Sequence, residues 1–328
     1  MQTSHPPHSP SSPSVNTDDG VRVSDLRVDY GAFTAVDGIS FHIPPGEIFG
    51  LVGPNGAGKT STIKVLATLL MPTYGEVSMF GVDVLDHPDE VHRWLGYMPD
   101  LAPIIGDLKV WEFVDLFASA YGWNAGTRRE RVEQCLRQVE MWDSRNTFGK
   151  GLSRGMMQRV VLAKTLLPNP RVLLLDEPAS GMDPIARIQL KDILQGLRKQ
   201  GTIVLISSHI LTELADMCTS VGIMHKGHMR YVGPIDKVSE TMTGSPTRHL
   251  LIEVMRGNGK ELEARLQNDS RVQSWRPLSA DTYDLVFSGD DQAQAMFVRD
   301  LVMTDIGLLN FTRKSTLESA LKALSEES

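Results

Sequence analysis

Cysteine, long apolar segments and an excess of positive charge are scarce or missing in this sequence. Its 328 residues contain 2 cysteines, Cys135 and Cys218, without a CxxC spacing or a nearby pair of histidines. This pattern predicts reduced thiols in an intracellular protein and no disulfide framework. No apolar run approaches the roughly 18 residues that a membrane-spanning helix requires. We therefore expect a soluble protein, which could act at a membrane only through a partner.

The charge balance is acidic, with a formal net charge of -7 at pH 7. A protein that binds nucleic acid over a broad surface normally carries a basic stripe, so nucleic acid is not expected as a partner. Residues 1–20 contain prolines among serine, histidine and aspartate and have no apolar signal region. This composition predicts a disordered tail and not a signal peptide.

A glycine-rich loop lies between an apolar run at residues 48–52 and a stretch with helical apolar spacing. The loop consists of Gly53, Pro54, Asn55, Gly56, Ala57, Gly58, Lys59, Thr60 and Ser61. A loop without Cβ atoms that leads into a helix N-terminus can wrap a polyphosphate with backbone amides. Lys59 would reach the β- and γ-phosphates, and the Thr60 hydroxyl would serve Mg²⁺. The alternative, a loop that merely turns the chain, does not explain this strand, loop and helix context.

Two carboxylates follow a second apolar run. Residues 172–175 predict a buried strand that ends at Asp176 and Glu177, and residues 202–206 predict another that ends at Ser207, Ser208 and His209. In open α/β sheets, ligands bind beyond the carboxyl ends of the strands. We therefore expect these polar side chains to meet at the edge where the glycine-rich loop lies.

The remaining patterns predict an α/β protein with additional parts. Alternating apolar residues over 21–43 predict an antiparallel β edge, and helical spacing over 108–121 and 128–140 predicts an inserted helical subdomain at about 101–168. Arg128, Arg129 and Arg131 are interpreted as its solvated face. A linker near residue 246 precedes a β, α, β, β, α, β pattern, which predicts a small α+β domain over 247–328 with a last helix at 316–324.

These motifs, in this order over about residues 21–240, resemble the nucleotide-binding subunits of ATP-binding cassette (ABC) transporters. Residues 53–60 resemble the Walker A loop, 152–156 the signature loop, and 172–177 the Walker B strand with its adjacent glutamate. Residues 180–183 resemble the D-loop, His209 the switch histidine, and Tyr30 the aromatic residue that stacks on adenine. The resemblance implies an ABC-type P-loop NTPase fold.

The resemblance also implies ATP and Mg²⁺ as ligands and a role for each matched residue. The implied catalytic residues are Lys59, Glu177 and His209, and the implied metal ligands are Thr60, Asp176 and Asp100. The implied nucleotide contacts are Tyr30, residues 53–61, Ser153, Gly155 and Asp183. Ser153 and Gly155 would cap the γ-phosphate bound to a second subunit. Two chains would therefore pair head to tail around two ATP molecules.

Two positions depart from the usual family pattern. Arg154 stands where the family usually has glycine, and Asp100 stands where most members have glutamine. Relatives in the drug and polysaccharide exporter branch often carry a basic residue at the first position and glutamate at the second, and Met156 is usual there. At these positions the resemblance gives weaker support for the Mg²⁺ contact and for the coupling to a membrane subunit that the loop around Asp100 normally mediates in the family.

The resulting functional prediction is an ATP-hydrolysing subunit that powers export through a separate membrane permease. We expect it in the cytoplasm, bound through the permease to the inner face of the membrane. A non-transport ATPase of translation or DNA repair is the alternative. The acidic balance, the single nucleotide-binding unit and the lack of a long coiled-coil insertion between Lys59 and Ser153 argue against it. An inactive relative is disfavoured because Glu177 and His209 are both present.

Overall fold

The computed structural model describes residues 20–100, 103–210, 213–214, 216–238, 247–304 and 306–313. The tail predicted over residues 1–19 and the helix predicted at 316–324 lie outside this part of the chain. We call residues 20–238 the nucleotide region and residues 247–313 the C-terminal region. The division of the chain near residue 246 stays a prediction, because residues 239–246 are not described either.

The nucleotide region contains ten strands and six α-helices among its described residues. The strands are β1 (Val21–Tyr30), β2 (Phe33–Ile43), β3 (Ile48–Val52), β4 (Tyr74–Met79), β5 (Val82–Asp83), β6 (Leu95–Met98), β7 (Val172–Leu175), β8 (Ile203–Ser208), β9 (Ser220–His225) and β10 (His228–Pro234). The helices are α1 (Lys59–Leu66), α2 (Pro88–His92), α3 (Val110–Ala120), α4 (Ala125–Gln138), α5 (Arg154–Thr165) and α6 (Pro184–Lys199), with short 3-10 turns at Gly149–Gly151 and Ile235–Lys237.

A six-stranded sheet of order β10-β9-β3-β8-β7-β6 positions the glycine-rich loop. Its strands run parallel except for β10, and every residue of β3 and β7 is buried. Strands covered on both faces are continuous apolar runs, which is why the sequence pattern located them. Helix α1 ends at Leu66, and Thr68 just beyond it takes a left-handed backbone conformation with φ 59°, which does not continue an α-helix.

A second sheet, of order β2-β1-β4-β5, is antiparallel throughout and confirms the predicted β edge. Its apolar side chains share one core with β3, α1 and the strands beside them. Phe41 of β2 stacks on Phe49 of β3 with ring centroids 5.2 Å apart, which joins the two sheets directly. This contact fixes the antiparallel sheet beside the glycine-rich loop.

Helices α3, α4 and α5 form the inserted subdomain and pack around Val110, Phe113, Val114, Val132 and Leu136. The interpretation of Arg131 as a solvated residue is wrong. Its side chain is only 8% exposed, its Nε donates to the Leu167 carbonyl at 3.0 Å, and its guanidinium also bonds the Leu166 carbonyl. A cation at these carbonyls stabilises the C-terminal end of α5.

The C-terminal region has the predicted order of elements. These are β11 (Thr247–Val254), α7 (Gly259–Asn268), β12 (Val272–Pro277), β13 (Thr282–Ser288), α8 (Asp291–Val302) and β14 (Leu308–Arg313). Its antiparallel sheet has the order β12-β13-β11-β14. The helices cover one face of the sheet. The C-terminal region has its own hydrophobic core, which contains Leu262, Phe287, Phe297 and Leu301.

Candidate functional site

A cavity of about 390 Å³ opens at the carboxyl ends of the parallel strands. The register places Val52 beside Ser208 and Leu175 beside Ile206, so the segments that follow β3, β7 and β8 emerge together. The cavity is lined by Tyr30, Phe33, Ala35, Asn55, Gly56, Ala57, Gly58, Lys59, Thr60, Ser61, Asp100, Glu177, Ser180 and His209. Most of the residues predicted for one nucleotide site are thus brought together.

The glycine-rich loop requires its glycines for steric reasons. Gly56 and Gly58 have φ of +82° and +105°, which side chains rarely adopt. A Cβ at Gly58 would lie 2.4 Å from the Ala35 carbonyl oxygen, and one at Gly53 would lie 2.3 Å from the Met224 carbonyl oxygen. The loop can therefore press against the β2 and β9 segments and present its amides at the N-terminus of α1.

Lys59 places a buried ammonium group at the base of this loop. Its Nζ donates to the carbonyls of Gly53 at 2.7 Å and Pro54 at 3.2 Å, and lies 3.6 Å from Oε1 of Glu177. Burial lowers the pKa of Lys59, while the nearby carboxylates of Glu177 and Asp176 oppose that shift. A buried cation of this kind fits a phosphate, which would replace carbonyl contacts with a full opposite charge.

Ser207 joins the two carboxylates that follow β7. Its hydroxyl donates to Oδ1 of Asp176 at 2.6 Å and accepts the backbone N–H of Glu177 at 2.9 Å. Asp176 is only 2% exposed, so this bond satisfies a carboxylate that would otherwise be costly to bury. The sequence placed Ser207 at the correct edge but gave it no role, since the link depends on β7 and β8 being neighbours.

Glu177 is held between the side chains of Lys59 and His209. Its Oε2 lies 2.8 Å from Nδ1 of His209, while Oε1 faces Lys59. Its backbone has φ 49°, a left-handed conformation that costs free energy for a residue other than glycine. Such strain is common at functional sites, and here it turns the carboxylate into the cavity lined by the loop.

A polar chain outside the cavity anchors the segment that carries His209. Ser208 Oγ donates to Oε2 of Glu213 at 3.2 Å and accepts the backbone N–H of Ile210 at 3.0 Å. The other oxygen of Glu213 lies 3.3 Å from Nη2 of Arg187 on α6. Neither Glu213 nor Arg187 belongs to a motif that can be recognised in the sequence, because their pairing is visible only in three dimensions.

Two of the three residues predicted to hold Mg²⁺ line the cavity. Thr60 and Asp100 line the cavity, and Asp176 lies behind it in contact with Ser207. Burial raises the pKa of Asp100, and the charges of Asp176 and Glu177 raise it further. No group of three or more His, Cys, Asp or Glu side chains suited to a metal occurs in the described part of the chain. The donor set still fits Mg²⁺, which usually takes one or two carboxylates together with phosphate and water oxygens.

Tyr30 lies at the open side of the cavity. Its ring is 47% exposed and its hydroxyl lies 3.3 Å from Oγ of Ser61. An exposed aromatic face beside a phosphate loop can stack on a base without a defined hydrogen-bond pattern. The position agrees with the predicted adenine contact, which stays a prediction.

The signature residues and Asp183 do not line the cavity. Ser153 caps α5 by accepting the backbone N–H of Met156 at 3.3 Å, and Asp183 caps α6 by accepting that of Ala186 at 3.0 Å. A Cβ at Gly155 would lie 2.8 Å from Cβ of Ala186, so this glycine allows α5 and α6 to approach closely. Their predicted nucleotide contacts stay a prediction.

Comparisons with known proteins agree with this geometry. A family model described as "ABC transporter" matches residues 36–180. The bacitracin transport ATP-binding protein BcrA of Enterococcus faecalis is 32% identical over 210 residues, which cover 64% of this chain and 67% of that protein. The daunorubicin/doxorubicin resistance ATP-binding protein DrrA of Streptomyces peucetius is 32% identical over 262 residues, which cover 80% of this chain and 75% of that protein.

A solved structure described as the ATP-binding subunit of an ABC transporter is also similar. It is 30% identical, has a TM-score of 0.60, and is matched over 68% of this chain and 93% of that chain. The family match extends from β2 through the glycine-rich loop to Ser180, so it includes most of the residues that line the cavity.

Proposed function

Since this chain belongs to the ABC transporter family and is an ATP-binding subunit whose cassette hydrolyses ATP, we propose that Glu177, His209 and Lys59 carry out the hydrolysis. The observation that supports this assignment best is the position of Glu177. Its carboxylate lies at the cavity with one oxygen beside His209 and the other beside Lys59. The carboxylate that would act on an attacking water is therefore in contact with both side chains that would act on the γ-phosphate.

Lys59 and the loop amides bind the phosphates, and Tyr30 stacks on the adenine. In the structure, Lys59 Nζ bonds loop carbonyls and faces Glu177. When Nζ turns to a phosphate, Oε1 of Glu177 loses that neighbour and can accept a hydrogen bond from the attacking water. His209 retains Oε2 and fixes the orientation of the carboxylate.

Thr60 and Asp176 would hold Mg²⁺, which would offset the charge of the phosphate oxygens. Ser207 donates to one oxygen of Asp176, so that the other oxygen is left for the ion. Asp100 would contact the ion through water, because its side chain is shorter than those of the glutamine and glutamate usual at this position.

A second copy of the chain completes each site. Ser153, Gly155 and Asp183 lie at the beginnings of α5 and α6, outside the cavity lined by their own glycine-rich loop. In a head-to-tail pair, the Ser153 hydroxyl and the N-terminus of α5 would approach the γ-phosphate bound by the partner. ATP binding would then close the dimer.

The dimer would power export through a separate membrane permease at the inner face of the membrane. In the described part of the chain, no helix has the length and apolarity needed to cross a bilayer. Two similar proteins are named for bacitracin transport and for daunorubicin and doxorubicin resistance, which supports an exporter. The permease would contain the pathway and select the substrate.

The test is phosphate release by the purified full-length chain. We expect hydrolysis of ATP that requires Mg²⁺ and is unaffected by added DNA or RNA, and we expect an adjacent gene to encode a multi-span membrane protein that copurifies with the chain. Lack of Mg²⁺-dependent hydrolysis, both alone and with that protein, would contradict the proposal. Strong stimulation by nucleic acid would favour a translation or DNA-repair ATPase instead.

A further inference from the structure

The backbone on both sides of His209 is held by hydrogen bonds. His209 follows the last residue of β8, and its side chain is 41% exposed, so packing alone does not fix the imidazole. Ser208 Oγ accepts the backbone N–H of Ile210 at 3.0 Å, and the Ile210 carbonyl accepts that of Glu213 at 3.3 Å. The Ser208 carbonyl accepts the N–H of Gly53 at 3.3 Å. The orientation of His209 therefore depends on the residues that hold its two neighbours.

Glu213 is a buried carboxylate behind this segment. Its side chain is 7% exposed, Oε2 accepts the Ser208 hydroxyl at 3.2 Å, and Oε1 lies 3.3 Å from Nη2 of Arg187. A buried carboxylate is costly unless it is paired and hydrogen-bonded, and these two partners meet that condition. A hydroxyl has a single proton, so donation to Glu213 turns the lone pairs of Ser208 towards the Ile210 amide. Glu213 thus fixes the rotation of the hydroxyl that holds this amide.

Arg187 connects the carboxylate to the beginning of α6. Its backbone N–H donates to the Asp183 carbonyl at 3.1 Å, so Arg187 lies one helical turn beyond the cap. The nucleotide contact predicted for Asp183 would be made to ATP bound by a second copy of the chain. A series of polar contacts therefore runs from the part of α6 nearest that second copy to the backbone beside His209.

We propose that Glu213 is a positioning residue for ATP hydrolysis, which holds the segment of His209 and, through Arg187, ties it to the beginning of α6. The proposal rests on the function proposed above. Nδ1 of His209 lies 2.8 Å from Oε2 of Glu177, so a displaced imidazole would release the carboxylate that orients the attacking water. When a second copy shifts the beginning of α6, the same contacts would shift His209. Hydrolysis would in this way respond to closure of the dimer.

These contacts predict a change in kcat and not in KM. Glu213 and Arg187 do not line the cavity, and the Ser208 carbonyl that bonds the glycine-rich loop is backbone, which substitutions retain. In Glu213→Gln, the one amide oxygen cannot serve both donors, and the NH₂ group would face Ser208 or Arg187. Ser208→Ala removes the acceptor of the Ile210 amide. Both changes free the segment that carries the imidazole and leave the phosphate contacts intact.

Double-mutant cycles in the full-length protein at saturating Mg²⁺ test this chain of contacts. The kcat and KM for ATP are measured for Glu213→Gln, Ser208→Ala and Arg187→Gln, and for the first combined with each of the others. We expect each single substitution to lower kcat at least about fivefold with KM within about twofold, and each double variant to stay within about twofold of its slower parent. The matched control is Glu133→Gln, which removes a carboxylate 2.7 Å from Nη2 of Arg137 in α4. Its kcat should equal that of the wild type.

The other outcomes separate this inference from the proposed function. A wild-type kcat in Glu213→Gln, or losses that multiply in either double variant, would overturn the inference. A change confined to KM would also overturn it, because Glu213 would then support ATP binding. A wild-type chain without Mg²⁺-dependent hydrolysis would instead overturn the proposed function. Circular dichroism spectra that match the wild type identify folded variants. If Glu213→Gln does not fold, Ser208→Ala decides the inference by its kcat and KM, since it removes no more than the hydroxyl oxygen.

Discussion

Lys59 in the nucleotide region and Arg271 in the C-terminal region differ in what surrounds the positive charge. In the C-terminal region, charges pair with one another, as where Arg271 contacts Asp269 at 2.7 Å and Asp300 at 2.9 Å. In the nucleotide region, Lys59 and Glu177 lie 3.6 Å apart and both face a cavity. Arg271 has two carboxylate partners at hydrogen-bond distance, whereas the buried Lys59 ammonium bonds two loop carbonyls, which a phosphate can replace.

The two regions also differ in which residues have a positive φ. Residues other than glycine with positive φ occur at several places in the nucleotide region, Glu177 among them. In the described C-terminal residues, positive φ is confined to Gly257, Gly289 and Gly307. In the described C-terminal residues, positive φ is thus restricted to glycine, which adopts it at little cost. In the nucleotide region, Glu177, which we assign to catalysis, has a strained left-handed backbone. The comparison predicts that chemistry resides in the first region alone.

The largest effect on ATP binding is expected for Lys59→Ala. Hydrogen bonds to charged groups contribute about 1.5–3 kcal/mol, so loss of the ammonium should weaken ATP binding about 10- to 100-fold. Isothermal titration calorimetry with ATP measures the change. Lys64→Ala is the matched control, because Lys64 lies on the exposed side of the same helix. Equal affinities of the two variants would show that the cavity is not the nucleotide site.

A smaller loss is expected for Ser207→Ala. The variant leaves Asp176 and the Glu177 amide without their common partner, and an unsatisfied buried group costs about 1–3 kcal/mol. We predict that kcat falls roughly tenfold while KM for ATP stays nearly constant. Ser78→Ala on β4 serves as the control in the same steady-state assay. A change confined to KM would mean that Ser207 supports binding and does not position the catalytic carboxylate.

Asp100→Ala tests whether this carboxylate serves the metal. If Asp100 contacts Mg²⁺ through water, the Mg²⁺ concentration for half-maximal hydrolysis should rise roughly tenfold, as for other groups that support a metal ligand. Nucleotide binding without metal should be nearly unchanged. Asp176→Asn is the positive control for the titration. An unmoved Mg²⁺ requirement would leave Thr60 and Asp176 as the protein groups at the ion.

The smallest effect on hydrolysis is expected from changes in the C-terminal region. Phe297→Ala should destabilise that region by about 3–5 kcal/mol, because it removes a buried aromatic ring from the core. Basal hydrolysis should nevertheless stay within about twofold, as should that of a chain ended at residue 246. Thermal unfolding and phosphate release measure the two properties separately. A folded, truncated chain that cannot bind ATP would contradict the division between the regions.

The sequence predicted elements whose patterns are local and missed groups whose contacts are distant. Strands β3 and β7 are continuous apolar runs, so the predictions of these two strands are confirmed. Arg131 was misassigned because its carbonyl partners lie 35 and 36 residues away. Periodicity shows which face of a helix is apolar. It cannot show that a long polar side chain on that helix will reach the end of another helix.

The position of Glu177 was predictable, but its surroundings were not. A carboxylate after a buried strand is visible in the sequence, and the resemblance supplied its role. Its contact with His209 and the serine link to Asp176 require the order of β7 and β8 in the sheet. Strand order is a property of the whole fold, so these contacts could not be deduced from local spacing.

The central claim is that the Glu177 carboxylate makes this region an ATPase. The most direct measurement is phosphate release by Glu177→Gln in a single turnover, with ATP binding and dimer mass followed in the same samples. The amide preserves shape but cannot take up a proton from water, so we predict that ATP binding is retained, hydrolysis falls at least about 100-fold, and ATP-bound dimers accumulate. Hydrolysis at the wild-type rate by this variant would contradict the account.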